Sequence, residues 1–353
     1  MNAEKSNKSK ELLQQAEEGI KQFLESDKYK DFLKTMSQFH RYSVNNTILI
    51  FMQKPDASHV AGYQSWKKKF NRQVNKGEKS IKIIGGREYK RKVEEIENGV
   101  KVEKEVKGIS FFPVSVFDVS QTTGDPLPKL VNELQQDVSD YKNLYHAIKE
   151  STDFDVSFDD IKSGAKGYCR PLDNQIVINK GMSQSQTIKT LIHEITHADL
   201  HADEFKNNDV ERTTKESKEV EAESTAFVVC EHYGIDTKDY SFPYLAAWSS
   251  SKELEELKAS FEKIQKQADS LIQRIDTNLE SILKEKELEV TQEKEQDLKD
   301  VKVPDISKMP LSERLNYFQE KADSINQVRK KDQVLQNHIS HSEKKEKNKE
   351  AAK

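Results

Sequence analysis

The chain has 353 residues, with 57 Lys and Arg against 61 Asp and Glu and a net charge of −4, which leaves room for two domains and an extension and says little about partners. Its two cysteines, Cys169 and Cys230, lie far apart and form no C-x-x-C pair, which argues against a disulfide scaffold or a thioredoxin-type redox motif. No apolar run approaches the roughly 18 residues of a membrane span and the polar start has no signal-peptide core, so a soluble cytoplasmic protein is expected.

A first helix is predicted over residues 10–26, where Leu13, Ala16, Ile20, Phe23 and Leu24 make an apolar stripe. A second helical run at 32–36 leads into a longer apolar stretch that Pro55 ends, since proline supplies no amide and restricts the residue before it. Strands follow at 81–84 and 109–117, joined by a long polar hairpin with Asn98-Gly99 as a type I′ turn. Helices followed by a small sheet indicate an α+β domain. Between residues 41 and 90 there are eleven Lys and Arg against three Asp and Glu, with Tyr42, Tyr63, Trp66, Phe70 and Tyr89 interleaved, then Phe111 and Phe112. Cations for phosphates and flat rings for unstacked bases are what a single-strand binder needs. The same composition also suits a solvated basic face over an ordinary aromatic core.

Residues 122–128, rich in turn formers, read as an interdomain linker. A helix near 140–149 and strands near 154–158 and 176–178, expected to be antiparallel, then lead to Leu191-Ile192-His193-Glu194-Ile195-Thr196-His197, an H-E-x-x-H motif. Ile188, Leu191, Ile192 and Ile195 give this segment a helical stripe, and Ser183 or Ser185 can cap its start. On a helix His193 and His197 stand one turn apart on one face, so two imidazoles converge on one ion while Glu194 lies beside them as a base. A third ligand is needed. Three and six residues past His197, where one class of zinc hydrolase has glycine and a ligand, stand Leu200 and Asp203. The other class takes a glutamate from the next helix. There Glu219, Ala222, Glu223, Ala226, Phe227 and Cys230 share one face, apolar apart from its two carboxylates, while Glu221 points the other way. Carboxylates on a core-directed face need a partner, which makes Glu219 the expected third ligand and Glu223 the acceptor that orients a ligand imidazole. One Zn2+ per chain is expected. The segment from Pro243 to Trp248 is expected beside the metal cleft.

Beyond residue 250, Leu254, Leu257, Phe261, Ile264, Ala268, Leu271, Ile275, Asn278 and Ile282 alternate steps of three and four. That heptad seam predicts a long helix that either folds back on the protein or pairs with a helical partner through residues 254–282. A further amphipathic run carries Leu311, Leu315, Phe318, Ala322 and Ile325, and the charged final segment, 339–353, is expected to be disordered.

Residues 167–236 resemble the zincin-like domain of the ImmA/IrrE type found in ArdC-like antirestriction proteins. The likeness runs through Asn174-Gln175-Ile176-Val177-Ile178-Asn179, the H-E-x-x-H motif, His201, and E-x-x-A-E from Glu219 to Glu223. In that family the first glutamate of the last motif is a metal ligand. Arg41-Tyr42-Ser43-Val44-Asn45-Asn46, Gly62-Tyr63-x-x-Trp66, Lys76-Gly77-Glu78-Lys79 and Val116-Phe117-Asp118-Val119-Ser120-Gln121-Thr122 look like the family's N-terminal domain, a single-stranded-DNA-binding module. The charged insertion at 87–107 departs from that pattern.

The basic and aromatic composition together with the resemblance makes Arg41, Tyr42, Asn46, Tyr63, Trp66, Lys67, Lys68, Lys69, Arg72, Lys76 and Lys79 the expected DNA contacts. The resemblance implies a DNA-binding domain at 1–122, a linker at 123–128, a zincin-like metallopeptidase domain at 129–250, a helical extension at 251–338 and then the tail. The leading expectation is a mobile-element antirestriction-like protein that binds single-stranded DNA and carries a zinc-dependent hydrolytic site. The alternatives are a regulatory metalloprotease that cleaves a specific repressor or host protein, and a metal-stabilised DNA-binding scaffold without catalysis.

Overall fold

Three helices open the chain in the computed structural model, which describes residues 2–300 apart from 23, 25, 98, 99, 128–137, 208–212, 239, 241 and 251, with a few positions between 310 and 319. The Asn98-Gly99 turn, the run from Leu311 to Ile325 and the final tail lie outside the described residues. Helix α1 (Asn2–Gln22) starts earlier than its apolar stripe, and α2 (Ser26–Gln38) extends the short run at 32–36 in both directions. Helix α3 (Val44–Gln53) begins at Ser43, whose hydroxyl accepts from the Asn46 amide, and stops two residues before Pro55.

The elements that follow are β1 (Val60–Gly62), helix α4 (Tyr63–Lys69), β2 (Arg72–Val74), β3 (Ile81–Glu97) and β4 (Val100–Asp118), of which β1, β4 and β3 form one sheet in that order. The strands of the hairpin are much longer than expected. Its polar arms stay in antiparallel register from Ile81↔Val116 out to Glu97↔Val100, so the charged insertion is ribbon and not loop. Strand β5 (Thr122–Gly124) pairs with β2, so the first residues of the expected linker are held in a ladder.

Helix α5 (Val138–Lys149), β6 (Asp155–Asp159), β7 (Gly167–Arg170) and β8 (Gln175–Asn179) lead to the motif helices. The expectation of antiparallel strands is corrected here: β6 runs parallel to β8, and only β7, which the sequence reading had not assigned, is antiparallel to it. The sheet order β6-β8-β7 leaves β7 at an edge. Helix α6 (Gln184–His201), the short α7 (Asp203–Lys206), α8 (Lys215–His232), α9 (Leu245–Ser250) and α10 (Leu254–Asp300) complete the described elements. The architecture is α+β.

Residues up to Lys284 form one compact unit, and those from Glu285 onward a second, whose described part begins as the remainder of α10. Within the first unit a single large core joins Ala16, Ile20, Phe32 and Ile48 of the opening helices to Ile192 and Ile195 of α6, Phe227 and Val228 of α8, and Phe261 and Ile264 of α10. A smaller cluster of Phe39, Ile50, Ile81, Ile83 and Val116 lies under the N-terminal sheet. The heptad seam folds back on the body: Leu257, Phe261, Ile264, Ala268, Leu271 and Ile275 are all buried in the large core, and Asn278 reaches the Ala147 carbonyl at 3.0 Å. Among the described residues no helix is long and apolar enough to cross a membrane.

Candidate metal centre

Helix α6 is fixed from one side by Ile188, Leu191, Ile192 and Ile195, all buried, and at its start by Ser183, whose hydroxyl accepts from the Gln186 amide. That orientation turns His193 and His197 toward α8. Their Nε2 atoms lie 3.0 Å apart. Glu219 stands opposite, with its oxygens 3.7 Å from His193 Nε2 and 3.9 Å from His197 Nε2. One donor atom from each of the three residues falls within a span of 4.8 Å. Glu223, one turn further along α8, places Oε2 at 3.1 Å from His193 Nδ1.

The electrostatics follow from burial. His197 is pushed down to about 2 by burial and by the neighbouring His193 and His201, which keeps its ring neutral with a lone pair to offer. Burial opposes protonation of His193 too, but Glu223, Glu194 and Glu219 outweigh it and raise its pKa, so this cluster attracts positive charge. Glu194 is raised to about 7, mainly by burial, with His193 and a hydrogen bond from the Cys169 backbone acting the other way. Strand β7 reaches α6 at Gly167, where a Cβ would lie 2.7 Å from Thr190 Cγ2 and 3.2 Å from Glu194 Cγ, so only glycine admits this approach.

Two neutral-capable imidazoles and a carboxylate converging on one point are the donor set that zinc and similar divalent ions take. Leu200 and Asp203 do not join the cluster, and the segment after β8 supplies no further donor to it among the described residues. Pro243 and Tyr244 line a cavity with Glu219 and Glu223, whereas Trp248 is buried in the large core against Phe261, so the expected neighbour of the cleft is only the first part of that segment.

Residues 4–117 match the N-terminal domain of anti-restriction factor ArdC, and residues 149–231 match the IrrE N-terminal-like domain. This chain is an ArdC-like protein. An uncharacterised Bacillus anthracis protein, pXO2-81, is 30% identical over 302 residues, covering 74% of this chain and 50% of that protein. The chain thus spans about half the length of this curated relative. The antirestriction ArdC protein of the R388 plasmid, in a metal-free crystal structure, is 20% identical with a TM-score of 0.44, over 67% of this chain and 86% of that one. Its Mn(II)-bound structure gives 19% identity and a TM-score of 0.41, over 66% and 85%.

In this ArdC-like chain the expected DNA contacts separate into two groups. Trp66 is corrected to a core residue: it is 1% exposed, its Nε1 donates to the Phe117 carbonyl at 2.8 Å, and its ring meets Phe70. Asn46 is likewise buried, where its amide exchanges two hydrogen bonds with the backbone of Ile84 at 2.8 and 2.9 Å. Tyr42 is half-buried against Phe39, with its hydroxyl on the Val60 carbonyl. Arg72 is spent on Thr122, Gly124 and Asp125, tying β2 to β5. Arg41, Lys67, Lys68, Lys69, Lys76 and Lys79 remain exposed, as do the rings of Tyr63, Phe70, Tyr89 and Phe111.

Sequence reasoning missed what lies behind the metal site. Glu221 does point away from Glu219, yet it is 1% exposed, accepting from Ser260 Oγ at 3.0 Å with Lys263 at 3.7 Å and His201 Nε2 at 3.9 Å. Its burial could have been suspected from its apolar neighbours Val220 and Ala222, but two of its partners, Ser260 and Lys263, lie on a helix some forty residues away.

Proposed function

We propose that the chain holds a zinc ion at His193, His197 and Glu219 in a peptidase-type hydrolytic centre, and binds single-stranded DNA through its N-terminal domain. The convergence of those three donors beside a buried carboxylate carries the hydrolytic reading. Zinc, when bound, supplies a Lewis acid that activates water and polarises a carbonyl. The chain's own groups do the rest. Glu223, whose Oε2 stands 3.1 Å from His193 Nδ1, is placed to accept that nitrogen's proton, which leaves the Nε2 lone pair for the centre. Glu194, buried beside His193, takes a proton from the attacking water and passes it to the departing amine. For DNA, the exposed lysines of α4 and the loop after β2 meet phosphates, and exposed Tyr63, Phe70, Tyr89 and Phe111 offer stacking faces. An antirestriction role, protection of DNA entering a cell, is the context in which both activities serve one protein.

Metal content and single-strand affinity of one purified sample of the full chain test this reading. His193→Ala, His197→Ala and Glu219→Ala each lose the ion after dialysis, whereas Glu194→Gln retains it and loses only hydrolysis. Full zinc in Glu219→Ala together with its loss in Glu223→Ala overturns the ligand assignment. Affinity for a labelled single strand falls steeply with salt, and replacing Lys67, Lys68 and Lys69 by Ala flattens that slope. Salt-independent or absent binding removes the DNA part.

A further inference from the structure

Two cavities meet at Gly167, His193 and Glu194. One, of about 650 Å³, runs over His197 and Glu219; the other, of about 310 Å³, lies toward the start of α6 and is bounded by Lys166, Gln186, Lys189 and Tyr240. The smaller one is lined by two lysines, neither of which is ion-paired among the described residues. Lys189 stands one turn before His193, and its ammonium sits 4.5 Å from the centre of the Tyr240 ring, which holds it over the cavity instead of out in water. No carboxylate among the described residues is within ion-pair range of it. Lys166, from the loop before β7, donates to Gln186 Oε1 at 3.1 Å, and Gln186 in turn donates to Thr190 Oγ1 at 3.2 Å. Two carboxylates also line this cavity: Glu223, 3.1 Å from His193 Nδ1, and Glu194, whose stem packs against Gly167 of β7. A half-buried ammonium held by a ring face and no carboxylate is the kind of group an incoming anion compensates.

We propose that this cavity receives an acidic side chain of the peptide substrate, on a residue next to the cleaved bond, and that Lys189 and Lys166 recognise its carboxylate. The inference rests on the peptidase reading of the metal centre. Its volume admits an aspartate or glutamate side chain with room to spare, and its position against His193 and Glu194 places that side chain adjacent to the reacting carbonyl. A free chain end carries the same carboxylate chemistry, so the two sources need separate arms.

The test uses the full-length, metal-loaded Glu194→Gln variant and a set of amidated decapeptides in which a single Glu is moved through every position, each matched by a Gln peptide. A further set has Gln throughout and a free C-terminus. Binding is read by fluorescence anisotropy, and cleavage by the unaltered protein is followed by mass spectrometry. One Glu position is expected to bind about tenfold tighter than its Gln match, the weight of one charge-assisted contact at a half-buried site. Lys166→Met with Lys189→Met abolishes that preference while the metal content and the affinity for Gln peptides persist, and Lys189→Glu moves the preference to Lys at the same position. Equal affinity for Glu and Gln peptides, a preference that survives the double substitution, a preference confined to the free C-terminus, or no peptide binding at all overturns the proposal. Preferential binding without cleavage sinks the peptidase reading and leaves the pocket standing. Cleavage without preference does the reverse.

Discussion

The carboxylates Glu219 and Glu223 stand one turn apart on α8 and meet different nitrogens of one histidine, so their substitutions separate two roles. Glu223→Ala is expected to leave the ion in place but to weaken its hold by about 10–100-fold, because a ligand imidazole loses the acceptor that fixes its tautomer. A chelator titration against Glu219→Gln, which loses the ion altogether, checks this. Asp118 carries a pH expectation. Burial alone raises a carboxyl's pKa, but amide hydrogen bonds from Ser120, His59 and Ser58 outweigh it and hold Asp118 below the usual carboxylate range. Its stabilisation is therefore complete above the unfolded value of about 4 and is lost as pH falls through the lower folded value. Asp118→Ala costs about 2 kcal/mol at neutral pH, and its urea midpoint changes less between pH 5 and pH 3 than that of the unaltered chain. These residues differ in how visible they were. Histidine spacing and the Glu219 to Glu223 step define a helical face by themselves. The burial of Trp66 depends on a carbonyl 51 residues away, so basic and aromatic composition around it could not distinguish a stacking ring from a packed one.

At the scale of elements, α10 shows the same division. Its alternation of threes and fours states that one face is apolar, but a heptad seam is silent about what it packs on. The answer lies in contacts to both halves of the first unit. Ser260 reaches Glu221 on α8, and Gln267 and Arg274 reach Asp199 on α6, while Gln265 donates to the Phe39 carbonyl and Thr47, and Asp269 pairs with His40. Removing everything after residue 250 is therefore expected to leave an insoluble chain, whereas ending at 284 keeps the fold. Solubility and circular dichroism of the two truncations decide it. Phe261→Ala, which empties a fully buried position between Tyr29, Phe32 and Trp248, costs about 3–5 kcal/mol in chemical denaturation. The strands were less legible than the helices. Only the apolar base of the β3–β4 ribbon shows the period-two alternation of a half-buried strand, and its charged arms pair through the backbone, which leaves no mark on side-chain pattern.

Across the first unit, the shared core implies that the N-terminal sheet and the helices of the proposed metal centre fold together. Helix α3 turns Ile48 and Leu49 into the large core and Ile50 into the small one, and Tyr29 of α2 meets Ser224 of α8 at 2.7 Å, two turns of helix or less from the proposed ligands. The chain holds two tryptophans, and they lie on the two sides of this arrangement: Trp66 packs under the N-terminal sheet with Phe117 and Phe70, and Trp248 packs in the large core against Phe261. Trp66→Phe and Trp248→Phe thus leave single reporters for each side. In a cooperative unit, thermal unfolding followed by either ring gives one coincident transition. If the proposed zinc ion binds only the folded chain, zinc at about 100 times its dissociation constant adds about 2.7 kcal/mol. That gain shifts the Trp66 transition as much as the Trp248 transition, although Trp66 is remote from the metal centre. A Trp66 signal that melts separately and ignores zinc and chelator alike would show that the N-terminal sheet unfolds on its own. Coupling between DNA binding and the metal centre would then have no structural basis in the shared core.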